Sequence, residues 1–306
     1  MNSFIMAHKR KKSESSGGSG SLSDLVALGI LTKPIAEFSN SDVGTTVFIP
    51  YNDTTGKFSL NEGRIEFEVV GVNHHKDTNN ADTPTITLMT KNIIRLAAFD
   101  AKEPDNPLIS SEGARKNHGN NRWSVSNIRQ WLNSPAAAGS WFNAEKTHAY
   151  DATPDTGNVS YNADGAYADA PGFLTGFSDD VLQHFTDITN ITALCMFDDG
   201  GSETTVDKVF LPSYTEMFGV TNNGIAEGKH LYKFANGGST LKNGGEHGWY
   251  WMRSPLYYYS DTTLTVNDKE DASDTFANNG NMRYRANYSS SLIVKWIWNN
   301  LTFNIA

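Results

Sequence analysis

A hydrolytic zinc site draws on closely spaced ligands, as in H-E-x-x-H, because two histidines four apart share one helical face. Here His74-His75, His118, His148, His184, His230 and His247 are scattered without that spacing. Glu246-His247 stands alone in a Gly-rich turn. These side chains read as surface or packing histidines, so neither a metal nor a cofactor is expected. Two acidic clusters could attract calcium, Asp198-Asp199 and Asp268-Lys269-Glu270-Asp271 with Asp274, but neither has the spacing of an EF-hand loop. Solvated loop acids are the default reading of both. The single thiol, Cys195, lies in the apolar run Ala193-Leu194-Cys195-Met196-Phe197, which predicts a buried, inert group and rules out an intrachain disulfide. No G-x-S-x-G elbow, P-loop or dinucleotide fingerprint occurs, and the Gly-Gly pairs lie in polar loops without the strand-before, helix-after context of a phosphate cradle. No carboxylate pair stands out as the acid and nucleophile of a glycosidase. Catalysis is therefore not expected.

The C-terminal stretch from about Trp249 to Phe303 has a different chemistry. It carries Tyr257-Tyr258-Tyr259-Ser260-Asp261-Thr262-Thr263 and, further on, a run rich in Asn, Tyr, Ser and Arg from Asn278 to Ser291. Tyrosine offers a large, rigid, amphipathic contact area, while Ser, Asn and Asp supply adaptable hydrogen bonds, which is the mixture antibody combining sites use. The candidate contact residues are Tyr257, Tyr258, Tyr259, Ser260, Asp261, Thr263, Asn278, Asn279, Asn281, Tyr284, Arg285, Tyr288 and Ser289. The competing reading packs some of the tyrosines underneath and leaves the polar residues as plain loops. Trp249, Trp251 and Arg253 read as buried footing.

Regular elements must position that surface. Thr45–Pro50, Ile65–Val72 and Thr85–Thr90 alternate apolar and polar residues, which predicts an antiparallel meander with one buried face. Ile128, Trp131 and Leu132 share one face of a helix across 123–133, with Ser124 or Ser126 as cap and Asn133-Ser134-Pro135 as its end. A shorter helix is expected over Ser178–Phe185, with strands near Lys208–Pro212 and Trp249–Pro255. A terminal strand pair is expected around Ile293–Ile297 and Leu301–Ile305. Leu22–Leu31 reads as a short apolar helix, capped by Ser23 or Asp24 and closed by Pro34, that seeks burial against the main domain or against copies of itself.

With 306 residues, 38% hydrophobic, 11% aromatic and only 19% charged, the chain is globular, and its polar remainder favours turns over long helices. A net charge of −9 disfavours nucleic acid as a partner. The basic run His8-Lys9-Arg10-Lys11-Lys12 reads as a solvated tail, with docking to an acidic surface as the alternative. Ser13–Ser21 reads as a flexible connector. No apolar run approaches a membrane span, and no export signal is discernible.

Several blocks occur in a familiar order. They are Asn121-Arg122-Trp123-Ser124-Val125-Ser126-Asn127-Ile128-Arg129-Gln130-Trp131-Leu132-Asn133, Gly172-Phe173-Leu174, Lys208-Val209-Phe210-Leu211-Pro212-Ser213 and Tyr250-Trp251-Met252-Arg253-Ser254-Pro255. Together they resemble an uncharacterised domain of phage tail and other phage structural proteins, related to the C-type-lectin-like fold of formylglycine-generating enzymes and of variable proteins of diversity-generating retroelements. The resemblance runs from about Gly44 to Ala306. It implies an α+β fold with antiparallel strands, short helices and long irregular loops. On this reading residues 1–43 form a flexible arm with a short attachment helix. Residues 44–306 then form the ligand-binding domain, with a variable region at 249–303. Formylglycine-generating enzymes use paired cysteines, so the lone Cys195 removes that activity.

What the resemblance implies for function is a receptor-binding or adhesion protein at a phage tail tip, fibre or capsid surface, folded in the bacterial cytoplasm and carried on the virion. The expected partners are a host-surface protein or glycan, other virion proteins bound through the N-terminal segment, and further copies of the chain in a homo-oligomer. Membrane insertion is not expected. The alternative is a structural or decoration protein of the particle with no specific ligand.

Overall fold

Short elements held by long irregular connections make up this chain. The computed structural model describes residues 23–108, 114–160, 163–238, 242–243, 246–247, 249–266, 272–277, 297–298 and 302–305. The first helix, α1 (Ser23–Ala27), stops well before Pro34. Gly29 takes the left-handed conformation at φ +69°, and the Ile30 and Leu31 amides both donate to the Leu25 carbonyl, which seals the end. Leu25, Ile30, Leu31, Ile35 and Phe38 are buried in the main core, so this segment is part of the main body. A boundary at residue 43 between an arm and a domain is corrected accordingly, from residue 25 onward.

The expected meander is present as β1 (Thr46–Pro50), β2 (Arg64–Val72) and β3 (Ile86–Thr90). Val47 faces Phe67 and Ile49 faces Ile65 in the β1–β2 register, so the apolar positions of both strands meet on one side. Strand alternation sends Val69 into the main core and Val70 into a second cluster, and the register against β3 shifts between Val69 and Gly71. Gly71 is required there, since a Cβ would come within 2.9 Å of the His74 side chain.

Next come α2 (Arg115–His118) and a 3-10 turn over Trp123–Val125 that leads into α3 (Asn127–Leu132). Of the two expected caps, Ser126 is the one used, its hydroxyl accepting from the Arg129 amide. Trp123, Ile128, Trp131 and Leu132 are all buried. The chain continues through α4 (Asp179–Leu182), the hairpin β4 (Ile188–Ala193) with β5 (Ser202–Asp207), and β6 (Val209–Phe210). Then α5 (Tyr214–Phe218) opens on a capping box made by Ser213 and Glu216, and α6 (Tyr232–Ala235) follows.

The remaining strands are β7 (Lys242–Asn243), β8 (Glu246–His247), β9 (Trp249–Pro255), β10 (Thr262–Val266), β11 (Ala272–Phe276), β12 (Ile297–Trp298) and β13 (Thr302–Ile305). One antiparallel sheet runs β1-β2-β3-β13-β6, and a second runs β11-β10-β9-β12 with β12 parallel to β9. Of the expected terminal strand pair, residues 293–296 lie outside the described residues. Among the described residues β12 joins β9, and β13 joins β3 and β6 in the other sheet. The architecture is mixed α and β with antiparallel sheets, and no helix among the described residues is long and apolar enough to cross a membrane.

Strand β9 is the spine. Every residue in it is buried, with Trp249 and Trp251 in the main core and Tyr250 and Met252 in the second cluster. Two-fold side-chain alternation sends neighbouring residues to opposite faces, so an apolar strand of this kind must be covered on both. The tyrosine segment leaves directly from its end.

Candidate ligand-contact loop and the polar network beneath it

Residues 256–261 form the turn between β9 and β10. Leu256 donates its amide to the Thr262 carbonyl and Tyr259 donates to Leu256, which closes the loop on itself. Tyr258 is the most exposed of the large apolar side chains described, at 66%. Its ring meets Tyr257 edge-on at 5.0 Å, and the Tyr257 carbonyl accepts from the amide of Met196, itself half exposed. Tyr257 and Tyr259 are partly buried. Ser260, Asp261 and Thr263 are buried at 3% exposure or less, so they support the loop from beneath and offer no contact surface. This corrects their assignment as contact residues. The remaining seven candidates, Asn278, Asn279, Asn281, Tyr284, Arg285, Tyr288 and Ser289, lie outside the described residues.

Segment 115–121 holds the loop from below. Arg115 Nε donates to the Ser260 carbonyl at 3.0 Å, and Asn121 Nδ2 donates to the Tyr259 and Thr262 carbonyls at 2.7 and 2.8 Å. The Asn121 amide reaches Ser260 as well, and His118 Nδ1 meets Asp261 Oδ2 at 2.6 Å. A turn whose carbonyls are tied to buried side chains is fixed before any ligand arrives, and preorganisation of that kind removes part of the entropic cost of binding.

Arg115 is itself part of a buried chain of charges. Its Nη2 donates to Asp198 Oδ2 at 2.7 Å and its Nη1 reaches His148 Nε2 at 3.1 Å. A guanidinium can only donate, so His148 Nε2 accepts and Nδ1 carries the proton toward Glu103 Oε1, 2.6 Å away. Glu103 is buried and also accepts from Asn106. The three groups Glu103, His148 and Asp151 are near enough to share a metal ion. Both imidazole nitrogens are nevertheless committed, and Arg115 already supplies the positive charge. His75 is similarly occupied within its cluster with His74 and Glu216, between Thr87 and Glu216. Asp198, one of the candidate calcium ligands, is taken by Arg115 and the Cys195 thiol. Burial and the neighbouring Asp198 carboxylate push the Cys195 thiol up to about 12, so it stays protonated, as its apolar neighbours suggested.

A carboxylate pair does exist, although nothing in the sequence marked it. Asp100 accepts from the Asn120 and Asn127 backbone amides, and the Asn120 side-chain amide bridges Asp100 and Asp151 at 2.6 and 3.3 Å. Burial raises Asp100 to about 7, and burial together with the Asp100 and Glu103 charges raises Asp151 well above the usual carboxylate range. Both carboxyls therefore hold their protons to higher pH than a free carboxylate. Asp100 is also fully buried, where a sugar cannot reach it. A carboxyl raised in the folded state contributes stability that is full below about pH 4 and is lost as pH climbs to about 7. Asp151→Asn keeps the bond from the His148 amide and removes the second charge. Its melting temperature should exceed that of the parent by about 2–4 °C at pH 8 and match it at pH 5. Calorimetry at the two pH values decides, and equal melting at pH 8 would show that Asp151 is not raised in the folded state.

Within β9, Arg253 forms a fully buried bidentate pair with Glu216 at 2.7 and 2.9 Å. Arg253 also donates to the Leu211 and Glu227 carbonyls. The pair ties β9 to α5 two residues before the strand ends and the tyrosine loop departs.

No curated protein and no solved structure matches the chain at a meaningful level. Residues 85–296 match a family described as a domain of unknown function (DUF6273). That span takes in the tyrosine loop, the charge network beneath it and the Arg253–Glu216 pair, and it covers well over half of the sequence. The chain belongs to the DUF6273 family.

Proposed function

We propose that the chain is a ligand-binding protein of a phage particle, with a C-type-lectin-like scaffold that presents the Tyr257–Tyr259 loop to a host-surface protein or glycan. The observation that carries the reading is an exposed tyrosine on a turn whose carbonyls are held by Arg115 and Asn121. Binding surfaces gain affinity when aromatic anchors are rigid before contact, and Tyr258 beside Tyr257 and Met196 has that form. The ordered blocks from Asn121-Arg122-Trp123 to Trp251-Met252-Arg253 support the phage setting by resemblance, and the antiparallel sheets with long irregular connections agree with such a scaffold. Weak sites displayed in many copies on one particle would act through avidity.

Tyr258→Ala alters an exposed side chain and should leave stability within about 0.5 kcal/mol of the parent. Retention of the full chain on intact host cells should fall at least about tenfold, the loss expected for an aromatic anchor. Undiminished retention, repeated when Tyr257 and Tyr259 are also replaced by Ala, would sink the proposal and favour a purely structural role in the particle.

A further inference from the structure

Tyr150 stands where a tyrosine gains nothing for the fold. Its backbone is left-handed at φ +74°, in a turn that Asp151 closes by donating its amide to the His148 carbonyl at 3.1 Å. That makes it the third residue of a type II turn, a position that favours glycine or asparagine because a left-handed Cβ crowds the following carbonyl oxygen. Four other non-glycine residues among those described have positive φ: Glu62, Asn73, Asp199 and Asn223. Asparagine and aspartate tolerate the region, and Glu62 sits in a tight hairpin turn with its carboxylate on Arg64. Tyr150 has no such compensation. Its side chain is 50% exposed and makes no hydrogen bond, ion pair or ring contact among the described residues.

The turn is held in this conformation from below. Asp151 also accepts from the His148 amide at 2.8 Å, and the His148 ring is fixed between Arg115 and Glu103. Strain of this kind persists only where the surroundings impose it, and it clusters at active sites and ligand clamps. The surroundings here are those of the tyrosine loop. Arg115 holds His148 with Nη1 and the Ser260 carbonyl with Nε. Asn120 Nδ2 reaches Asp151 at 3.3 Å, while the next residue, Asn121, holds the Tyr259 and Thr262 carbonyls. Tyr150 and Tyr258, both exposed, therefore belong to two turns on one buried footing. Rigid aromatic anchors set on a fixed base are how binding surfaces concentrate affinity.

We propose that Tyr150 is a second contact residue for the ligand of the Tyr258 loop, and that its strained backbone is retained for that contact. The inference rests on the binding function proposed above and adds a residue about a hundred positions upstream of the tyrosine-rich region.

Two variants of the full chain separate strain from contact. Tyr150→Gly removes the ring and the strain, and Tyr150→Ala removes the ring alone. Tyr150→Gly should melt about 1–3 °C above Tyr150→Ala and no lower than the parent. Retention on intact host cells should fall at least about tenfold in both. A Tyr150→Gly chain that melts below the parent overturns the inference, since the ring would then be holding the turn. Parent-like retention of either variant overturns it as well. Tyr258→Ala, run in parallel, tells the two readings apart. Loss there beside parent-like Tyr150 variants ends this inference alone, whereas parent-like retention of all three ends the proposed function too. Loss on Tyr150 replacement alone would place the contact away from the tyrosine loop and overturn the shared surface.

Discussion

Arg253→Met is expected to cost about 3–5 kcal/mol. The reason is the charge it leaves behind. Glu216 is buried and receives both arms of the guanidinium, the His75 imidazole and the Ser213 amide. Chiefly the Arg253 charge, and then His75, hold its carboxyl well below the usual range despite full burial. Remove Arg253 and that carboxylate keeps its desolvation cost without its main compensation. Arg253→Met together with Glu216→Met should therefore recover much of the loss, because well-packed apolar residues can replace a buried ion pair at little cost. The pH dependence should change sign as well. In the parent, a depressed carboxyl contributes stability that is full above about pH 4.5 and lost as pH falls further. In the single variant Glu216 prefers its proton, so acid should partly restore stability. Denaturant melts at pH 4 and pH 7 measure both effects, and a loss below about 1 kcal/mol would show that the pair is not what ties β9 to α5.

That pair also shows where the sequence stops being informative. Arg253 was legible as buried footing, because it follows Trp251 in an apolar run that has to be covered on both faces. Its partner was not, since Glu216 lies 37 residues away on a five-residue helix too short to display a 3.6-residue period. The charge network behaves the same way, with Glu103 and His148 separated by 45 residues and Arg115 and Asp198 by 83. Periodicity reports local geometry alone, so β1 to β3 and α3 were readable while contacts closed by irregular chain were not. Pro34 looked like the end of the first helix, but Gly29 ends it earlier, because a left-handed residue stops a helix wherever it falls. The tyrosine segment was found by composition. Composition could not say that Ser260, Asp261 and Thr263 face inward, which follows from the carbonyls that Arg115 and Asn121 hold.

Those holding contacts lead to the second large effect. Arg115→Met should loosen the tyrosine loop without touching any tyrosine. The guanidinium serves three acceptors at once, the Ser260 carbonyl, the Asp198 carboxylate and His148 Nε2, and no unbranched apolar side chain can replace any of them. Asp198 would be left facing the Cys195 thiol, and Glu103 would be paired only through His148 and Asn106. A stability loss of about 3 kcal/mol follows from the uncompensated buried carboxylates. Arg115→Lys should rescue little, because an ammonium is a point donor and cannot reproduce the fork. The local signature separates this role from general destabilisation. Amides of Leu256 and Ala277, which bond to Thr262 and Asp261 within and beside the loop, should exchange faster in Arg115→Met. The Val47 and Ile49 amides in the β1–β2 pairing should slow or quicken only with global stability. Cell retention should fall with the loop protection, since ordering a loosened turn at each encounter weakens binding even with Tyr258 in place. Unchanged exchange at Leu256 and Ala277 would mean that Asn121 alone holds the turn, and retention should then be unaffected.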